Sequence, residues 1–101
     1  MKATDKLIGK KVIIRAYGAG VFYGTLSEVD GDTVEIKSAR RLWYWDGAAS
    51  LSQLATEGVT KPRGCKFTVT VDNCTVLGVI EIIPCTEKAV ESINNVPVWK
   101  L

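Results

Sequence analysis

Two arginines and three large aromatic side chains occupy residues 39–45. Arg40 and Arg41 carry planar guanidinium groups whose N–H donors fit the oxygen atoms of a phosphate. The aromatic side chains, which offer flat faces for stacking a nucleobase, are Trp43, Tyr44 and Trp45. This Arg-aromatic segment indicates a nucleotide or a nucleic acid as the first ligand class. The same residue types are enriched at protein interfaces, so a contact between subunits is the alternative, and a pocket between subunits would satisfy both.

A second candidate set surrounds residues 18–20. Arg15 and Tyr17 precede this Gly-Ala-Gly turn, whose backbone N–H groups could receive an anion and add a second wall to the site. The plainer interpretation is a hairpin turn in which the glycines supply positive φ angles. Farther along the chain, Lys61 and Arg63 lie in a predicted loop that could close over a ligand or simply face solvent.

The composition argues against catalysis. The chain has no histidine, which removes the commonest general base and the commonest metal ligand together. The cysteines match no zinc-binding spacing; they are Cys65, Cys74 and Cys85. Cys65 is expected to be a buried structural thiol, and Cys85 precedes a predicted helix N-terminus, where a thiolate would be favoured. We therefore expect a protein that is not an enzyme, with no catalytic residue, metal or cofactor.

The carboxylates have structural interpretations. Glu87 and Glu91 begin a predicted helix, where negative charge complements the helix dipole. Glu81 is isolated on an apolar strand and is expected to pair with an arginine. Asp46 follows the Arg-aromatic segment and could accept a hydrogen bond from a ribose hydroxyl or pair with the arginines before it.

The net charge of +2 favours a small ligand over a long polymer. A protein that holds long nucleic acid mainly through its phosphates usually has a larger basic excess, so a local cluster must supply the charge here. Residues 1–6 lack the apolar run of a signal peptide, and no apolar run is long enough to cross a bilayer. With three unpaired cysteines as well, we expect a cytoplasmic protein that does not associate with membranes.

Short strands must position these candidate residues. The predicted strands span residues 10–17, 21–29, 33–37, 65–72 and 74–83. Asp30-Gly31 is a strong hairpin signal, and Asp72-Asn73 predicts a second turn. The alternation in the fourth predicted strand places four side chains on its buried face, Cys65, Phe67, Val69 and Val71. The last predicted strand is apolar on both faces, which predicts cover from a core and from a helix or a neighbouring subunit.

The Arg-aromatic segment is either a short strand or an extended loop. If it is extended, one face carries Arg41, Trp43 and Trp45. The opposite face then carries Arg40, Leu42 and Tyr44. Two short helices complete the pattern: the first begins after Ser50 and ends at Gly58, and the second begins after Thr86 and continues to about Asn94.

Five short strands, tight turns and two short helices predict a single domain over residues 1–101. Its class is β-rich α+β, either a small, strongly bent antiparallel sheet or a small barrel of the Sm/SH3 type. An apolar tail is expected to dock on the domain or on a neighbour; its apolar side chains are Val98, Trp99 and Leu101.

Residues 9–15, Gly24-Thr25-Leu26 and Asp30-Gly31 resemble the opening three strands of Sm-like barrels. In that family a Gly-x-Leu strand leads to an acidic turn, and residues 78–83 are loosely similar to the last strand. The resemblance implies a barrel and a tendency to form rings. It implies no site residues, because the family's RNA-reading positions have no counterpart here and its helix precedes the first strand.

Three segments, residues 15–21, 39–48 and 82–86, together resemble a family of small phage and prophage proteins of unknown function. The Arg-aromatic segment is the most specific part of this resemblance, which spans most of the chain. It implies a phage-encoded accessory protein acting in the host cytoplasm. Phages use several unrelated small oligomeric proteins to sequester cyclic or ADP-ribose-type nucleotides of host defence signalling, and membership of that functional group is our hypothesis.

The leading hypothesis is a non-enzymatic homo-oligomer that binds and sequesters a small phosphate-bearing nucleotide. The candidate ligand-binding residues are Arg15, Tyr17, Arg40, Arg41, Trp43, Tyr44 and Trp45. The alternatives are an Sm-like RNA-binding ring and an interaction module that inhibits a host protein. RNA is the less favoured partner because the net charge is small.

Overall fold

The computed structural model describes residues 2–101 and is built around one five-stranded antiparallel sheet. The strands are β1 (Lys11–Ala16), β2 (Gly20–Asp30), β3 (Thr33–Tyr44), β4 (Lys66–Val76) and β5 (Val79–Pro84). The helices are α1 (Leu51–Glu57) and α2 (Glu87–Asn94), with single 3-10 turns at Asp5–Leu7 and Pro62–Gly64. No helix in this part of the chain is both long and apolar enough to span a membrane.

The strand order is β4-β3-β2-β1-β5. The last two strands of the chain, β4 and β5, therefore lie at opposite edges of the sheet. Only Leu77 and Gly78 separate β4 from β5, so the sheet must bend until its two edges approach each other at that end. Within residues 2–101 no ladder joins these edges. The connection between β4 and β5 is instead hydrogen-bonded to two turns. Gly78 O accepts from Tyr17 N, after β1, and Val79 N donates to Asp32 O, between β2 and β3. The predicted bent sheet is confirmed, and the closed barrel is wrong.

The predicted fourth strand, residues 65–72, ends four residues before the observed β4, which ends at Val76. β4 runs without a break through Asp72 and Asn73, and Asn73 pairs with Lys37 of β3. The chain turns at Leu77 and Gly78 instead, where Gly78 has a φ of +73°, a conformation that favours glycine. Turn-forming polar residues are tolerated at Asp72 and Asn73 because both side chains lie exposed on an edge strand.

Buried side chains cover both faces of the sheet. We call one the inner face, because the bent sheet closes on its cluster, which includes Val12, Ile14, Phe22, Leu26 and Ile36. The other is the helix-covered face, whose cluster contains strand residues and residues of both helices, including Ile13, Leu42, Phe67, Leu54 and Ile93. The central strands are thus apolar on both faces because each face has its own core.

Both helices begin with the predicted caps. The Ser50 hydroxyl accepts from Gln53 N at 3.1 Å, while Gln53 Oε1 accepts from Ala49 N at 2.7 Å. At the second helix the Thr86 hydroxyl accepts from Ala89 N at 3.1 Å. Each bond satisfies an N-terminal backbone donor that lacks a partner within the helix. Gly58 ends α1, as predicted, with a φ of +78°.

The exposure of β4 differs from the predicted alternation. Cys65 and Phe67 are buried as expected, but Val69 and Val71 are 47% and 45% exposed. The C-terminal segment bridges to the sheet at Phe67, so the cover reaches only the beginning of β4. The middle of this edge strand is therefore open to solvent.

Candidate functional site

β3 continues through the Arg-aromatic segment as far as Tyr44, so the strand alternative is the correct one. Its alternation separates neighbouring residues onto two faces. Leu42 belongs to the buried cluster of the helix-covered face, whereas Arg41 lies over Phe22 of the inner face. Trp43 lies at a register shift of the β3–β4 ladder, between Leu42 and Tyr44, and its side chain is exposed. Trp45 comes after the strand has ended and packs against the helix-covered cluster, so it does not join Arg41 and Trp43 as predicted.

Arg40 is buried, with 5% of its surface exposed. Its Nε donates to Thr68 O at 2.9 Å, and its Nη1 donates to Ile93 O at 2.9 Å. Its Nη2 donates to Val96 O at 2.7 Å and to Phe67 O at 3.4 Å. All three guanidinium nitrogens are thus bonded to backbone carbonyls. Burial lowers the pKa of the Arg40 guanidinium from its ordinary value, with smaller opposing contributions from nearby groups.

This position is at odds with the predicted role of Arg40 in holding a phosphate. A buried guanidinium whose three nitrogens all donate to backbone carbonyls is turned away from a ligand at the surface. Its partners Ile93 and Val96 lie at the end of α2 and just beyond it. Arg40 therefore ties the C-terminal part of the chain to β4 and belongs to the framework.

Arg41 has the opposite environment. Its guanidinium carbon lies 4.3 Å from the centre of the Phe22 ring, and its Nη1 donates to Ala19 O at 2.7 Å. Within residues 2–101, the Nε and Nη2 groups of Arg41 have no recorded acceptor, and the residue is exposed. The ring and the carbonyl fix the side chain while it keeps free donors. Arg41 is thus a cation whose position is fixed by neighbouring groups.

Three aromatic side chains of the predicted site are exposed. Trp43 and Tyr44 are 65% and 53% exposed at the end of β3, and Tyr17 is 84% exposed after β1. Ala39 pairs with Val71 across β3 and β4, so Val71 shares the inner-face side with Arg41. We call the exposed residues at this end of β3 and on the neighbouring part of β4, namely Arg41, Trp43, Val69 and Val71, the Arg41 surface.

Arg15 lies on the other face of the sheet. It is two residues from Ile13, which belongs to the helix-covered cluster, so alternation along β1 turns Arg15 to that face. Its Nε lies 3.0 Å from Glu81 Oε1, and both side chains are substantially exposed. The expected pairing of Glu81 with an arginine is present. The structure does not bring Arg15 together with Arg41, so the predicted second wall is not formed by Arg15.

The turn at residues 18–20 presents a carbonyl rather than N–H groups to the site. Ala19 O accepts from Arg41, and the flanking Gly18 and Gly20 have φ values of +84° and +100°. These are the positive φ angles of the plainer hairpin interpretation. The turn therefore orients the arginine rather than receiving an anion itself.

Phe22 was missed by the sequence reasoning, although it positions Arg41. In the ladder between β2 and β3, Phe22 lies directly opposite Arg41. The sequence signal for this pair is the hairpin at Asp30-Gly31. Residues equally distant from that turn on the two strands face each other, and Phe22 and Arg41 are such a pair. The predicted third strand ends at residue 37, before Arg41, so this pair was not predicted.

Charge is distributed unevenly along β3. The turn at its start carries only acidic side chains, Glu28, Asp30, Asp32 and Glu35. The other end carries Arg41, and Tyr44 there pairs with Lys66 of β4. Glu35, the acidic residue nearest to Arg41 along β3, is six residues away, or roughly 20 Å, which is more than twice the screening length of about 8 Å at physiological salt. The acidic turn therefore does not oppose an anion at the Arg41 surface.

The loop before β4 adds positive charge at this end of the sheet, at Lys61 and Arg63. Arg63 lines a groove of about 410 Å³ together with Pro97 and Trp99. The structure records no hydrogen bond or ion pair between Arg63 and the described part of the Arg41 surface. Its predicted role as a ligand-closing residue stays a prediction.

A cleft of about 370 Å³ lies elsewhere, between α1 and α2. Its charged lining consists of Glu57, Glu91 and Lys88, and it includes none of the predicted ligand-binding residues. Two carboxylates against one ammonium group disfavour an anionic ligand there. This cleft is therefore a poor site for a phosphate-bearing ligand.

The cysteines have buried or partly buried positions. Burial raises the pKa of the Cys65 thiol, with a smaller lowering by the hydrogen bond from Asp46. Burial also raises the pKa of Cys85 to about 11, against a smaller opposing effect of Lys11. The expected thiolate at Cys85 is therefore wrong, because burial outweighs the helix N-terminus. Among residues 2–101 no three Cys, Asp or Glu side chains are grouped to hold a metal ion.

The fold and this surface define a small β-rich domain: an open, bent antiparallel sheet, two helices on one face, and an exposed arginine-aromatic surface on the other. The family model described as "Domain of unknown function (DUF6948)" matches residues 9–93, and the chain belongs to this family. The match contains all five strands and the whole Arg-aromatic segment. No curated protein matches the chain.

Proposed function

We propose that the protein binds a small phosphate-bearing nucleotide at the Arg41 surface. The observation that carries this proposal is the state of Arg41, whose guanidinium is fixed by Phe22 and Ala19 O while Nε and Nη2 stay without an acceptor in the described chain. Exposed Trp43 follows two residues later in the chain. A phosphate on Arg41 would place a base within reach of an indole.

The energetics suit a small ligand. Stacking of a base on an aromatic side chain contributes about 1–3 kcal/mol. A charge-assisted hydrogen bond to phosphate is stronger than a neutral one, and a fixed guanidinium loses less conformational entropy on binding. Tyr17 is exposed and can extend the stacking surface. Arg40 and Trp45 support it from the helix-covered face without touching the ligand.

The proposed mechanism is stoichiometric sequestration rather than turnover. Tight binding alone removes a signalling nucleotide before its receptor meets it, so the protein needs no general base or nucleophile. The resemblance to phage and prophage proteins supports a phage-encoded homo-oligomer that works in the host cytoplasm against cyclic or ADP-ribose-type nucleotides. This setting is part of the proposal.

A thermal-shift screen tests the proposal. The panel contains cyclic di- and trinucleotides, ADP-ribose and its cyclic isomers, NAD and short RNA homopolymers. A ligand of the native state raises the melting temperature in a concentration-dependent way. We expect a shift from at least one small nucleotide. A shift from RNA alone would favour an RNA-binding protein, and a flat panel would favour a protein partner; either would contradict the proposal.

Matched variants locate the site. The double variant Arg41→Ala/Trp43→Ala should lose the nucleotide shift while keeping its circular dichroism spectrum, since both side chains are exposed. The control is Arg15→Ala, which removes an exposed arginine from the opposite face and should keep the full shift. A double variant that binds as well as the parent would place the ligand elsewhere.

A further inference from the structure

The middle of β4 is an unprotected strand edge. Residues 68–71 read Thr-Val-Thr-Val, four consecutive β-branched residues without a charge or a proline. β-branched residues favour strands, and proteins usually protect a free edge with charged residues, proline, bulges or a covering segment. On the other side of this strand, the ladder with β3 keeps one register from Val34 to Arg40, opposite Val76 to Thr70, and shifts on either side of Leu42, opposite Phe67. The backbone from Thr70 onward is therefore already extended for pairing.

The available cover stops short of this stretch. Val98 bridges to Phe67 in parallel, and Trp99 N donates to Phe67 O at 2.9 Å. Beyond that point, residues 69–73 are exposed on both faces of the sheet. The C-terminal segment thus covers the start of the edge and leaves the uncharged part open.

The other edge strand is better protected. β5 carries Glu81, which is paired with Arg15, and it ends at Pro84, which has no N–H to donate. Register does not distinguish the two edges, because the β1–β5 ladder shifts next to Ala16 and the β3–β4 ladder shifts around Leu42. A charge and a proline are among the usual features of edges that avoid pairing.

We propose that a second copy of this chain pairs with β4, antiparallel, about a two-fold axis near Thr70. Two identical uncharged stretches meet without like-charge repulsion in this arrangement. Their flanks are complementary, because Lys66 precedes the stretch and Asp72 follows it. Antiparallel pairing brings the Lys66 end of one copy toward the Asp72 end of the other. Two-fold dimers with self-complementary interfaces are the commonest protein oligomers.

The pairing completes the ligand site. Antiparallel strands related by a two-fold axis perpendicular to a sheet keep their faces on the same side, so both Arg41 surfaces lie on one continuous face. Val69 and Val71 of both copies form its centre. The two β3 strands are then three strand spacings apart, about 14 Å. This extension rests on the proposed function: it selects a ligand with two phosphates in roughly two-fold arrangement, namely a cyclic dinucleotide.

Solution mass tests the pairing. Sedimentation or light scattering of the wild-type protein should give twice the chain mass of 11.0 kDa. The variant Val69→Lys/Val71→Lys should be monomeric with an unchanged circular dichroism spectrum, because half-exposed positions accept lysine but opposed lysines repel across the pair. Ile80→Lys, on the protected edge and at 58% exposure, should stay dimeric. A wild-type monomer, a dimeric double variant or a monomeric Ile80→Lys protein would overturn the proposal.

Calorimetric titration with cyclic di-AMP, and with AMP as the half-ligand, tests the shared site separately. One cyclic di-AMP for every two chains would support it. One ligand per chain, or undiminished binding by the monomer, would overturn the sharing. A dimer that binds neither probe nor any other nucleotide would overturn the proposed function and the shared ligand, while the measured mass would still establish the interface.

Discussion

Arg40 and Arg41 are neighbours in sequence with identical side chains, and the sheet gives them opposite environments. Arg40 points to the helix-covered face and donates to four backbone carbonyls. Arg41 points to the inner-face side and donates to Ala19 O alone among the described residues. The difference is produced by the alternation of one strand and by what lies across each face.

The comparison separates two uses of the same residue type. A buried guanidinium is retained only when every donor is satisfied, and Arg40 then stabilises the packing of the elements that it joins. An exposed guanidinium with free donors adds little to stability and can bind an anion. The helix-covered face should therefore govern stability, and the Arg41 surface should govern binding.

The largest expected effect tests the stability half of the comparison. Arg40→Leu removes the donors to Ile93 O and Val96 O and leaves buried carbonyls without partners. We expect a loss of about 3–4 kcal/mol in the free energy of unfolding, since each buried unsatisfied group costs about 1–3 kcal/mol. Urea unfolding followed by circular dichroism measures it. The control Arg41→Leu should change the same quantity by about 0.5–1 kcal/mol; equal losses in both variants would abolish the distinction.

The local part of this architecture was readable from the sequence. The Asp30-Gly31 hairpin, the caps at Ser50 and Thr86, and the end of α1 at Gly58 all depend on residues within a few positions of one another. Such signals act through turn geometry and backbone donors, which the residue types themselves fix. The bent sheet followed from the number of short strands and tight turns.

The environments of Arg40 and Arg41 could not be predicted from local signals. The carbonyl that receives Arg40 Nη1 belongs to Ile93, 53 residues away, and no local pattern announces that contact. The turn at Asp72-Asn73 failed for a related reason: the ladder to β3 overrides the turn preference of two polar residues. Arg15 was misplaced because a shared face requires the relative phase of two strands, which alternation within one strand does not give.

A second effect concerns alkaline pH and again the helix-covered face. Burial raises the pKa of Tyr23 to about 12, and the nearby Cys85 adds to the rise while Arg40 opposes it. An unfolded tyrosine ionises near pH 10, so between pH 10 and 12 the unfolded chain holds fewer protons than the folded one. The stability contribution of Tyr23 is complete below about pH 10 and is lost as the pH rises toward 12. The loss should be on the order of 2 kcal/mol.

Urea unfolding at a series of alkaline pH values measures this slope. Tyr23→Phe should flatten it above about pH 10, leaving the earlier decline that Cys85 causes from about pH 9. Tyr23→Phe also removes the hydrogen bond to Asn94 Oδ1, which lowers stability at every pH. The quantity to compare is therefore the change in the free energy of unfolding with pH within each variant, not its absolute value. Tyr17→Phe, at an exposed position, is the control and should keep the parent slope. An unchanged slope in Tyr23→Phe would show that Tyr23 is not the titrating group.

Arg41→Lys tests whether Arg41 contributes more than positive charge to binding. Lysine keeps the positive charge but loses the planar fork that the Phe22 ring and Ala19 O hold in place. We expect nucleotide affinity to fall roughly tenfold, or about 1.4 kcal/mol, while the melting temperature without ligand stays unchanged. Titration calorimetry with the nucleotide found in the screen measures the affinity. Full affinity in the lysine variant would mean that Arg41 contributes charge alone.

A smaller effect is expected from the cap of α2, the helix whose end Arg40 holds. Thr86→Ala removes the acceptor for Ala89 N and the hydroxyl that donates to Thr56 O at 2.6 Å. The free energy of unfolding should fall by about 1 kcal/mol, the usual value of an N-cap. Thr86→Ser, which keeps the hydroxyl, should retain most of it. Differential scanning calorimetry of both variants checks the difference, and a serine variant as unstable as the alanine one would point to lost methyl packing instead.

The smallest effect is expected at Arg15, which is neither buried nor part of the Arg41 surface. Arg15 forms an exposed ion pair with Glu81, and exposed pairs contribute little because water and salt screen them. Arg15→Gln should therefore change the free energy of unfolding by less than about 0.5 kcal/mol and leave nucleotide affinity unchanged. Urea unfolding at low and high salt measures the first, and calorimetric titration measures the second. A loss of affinity in Arg15→Gln would mean that the ligand reaches across to the helix-covered face, and it would restore the wall that the strand alternation argues against.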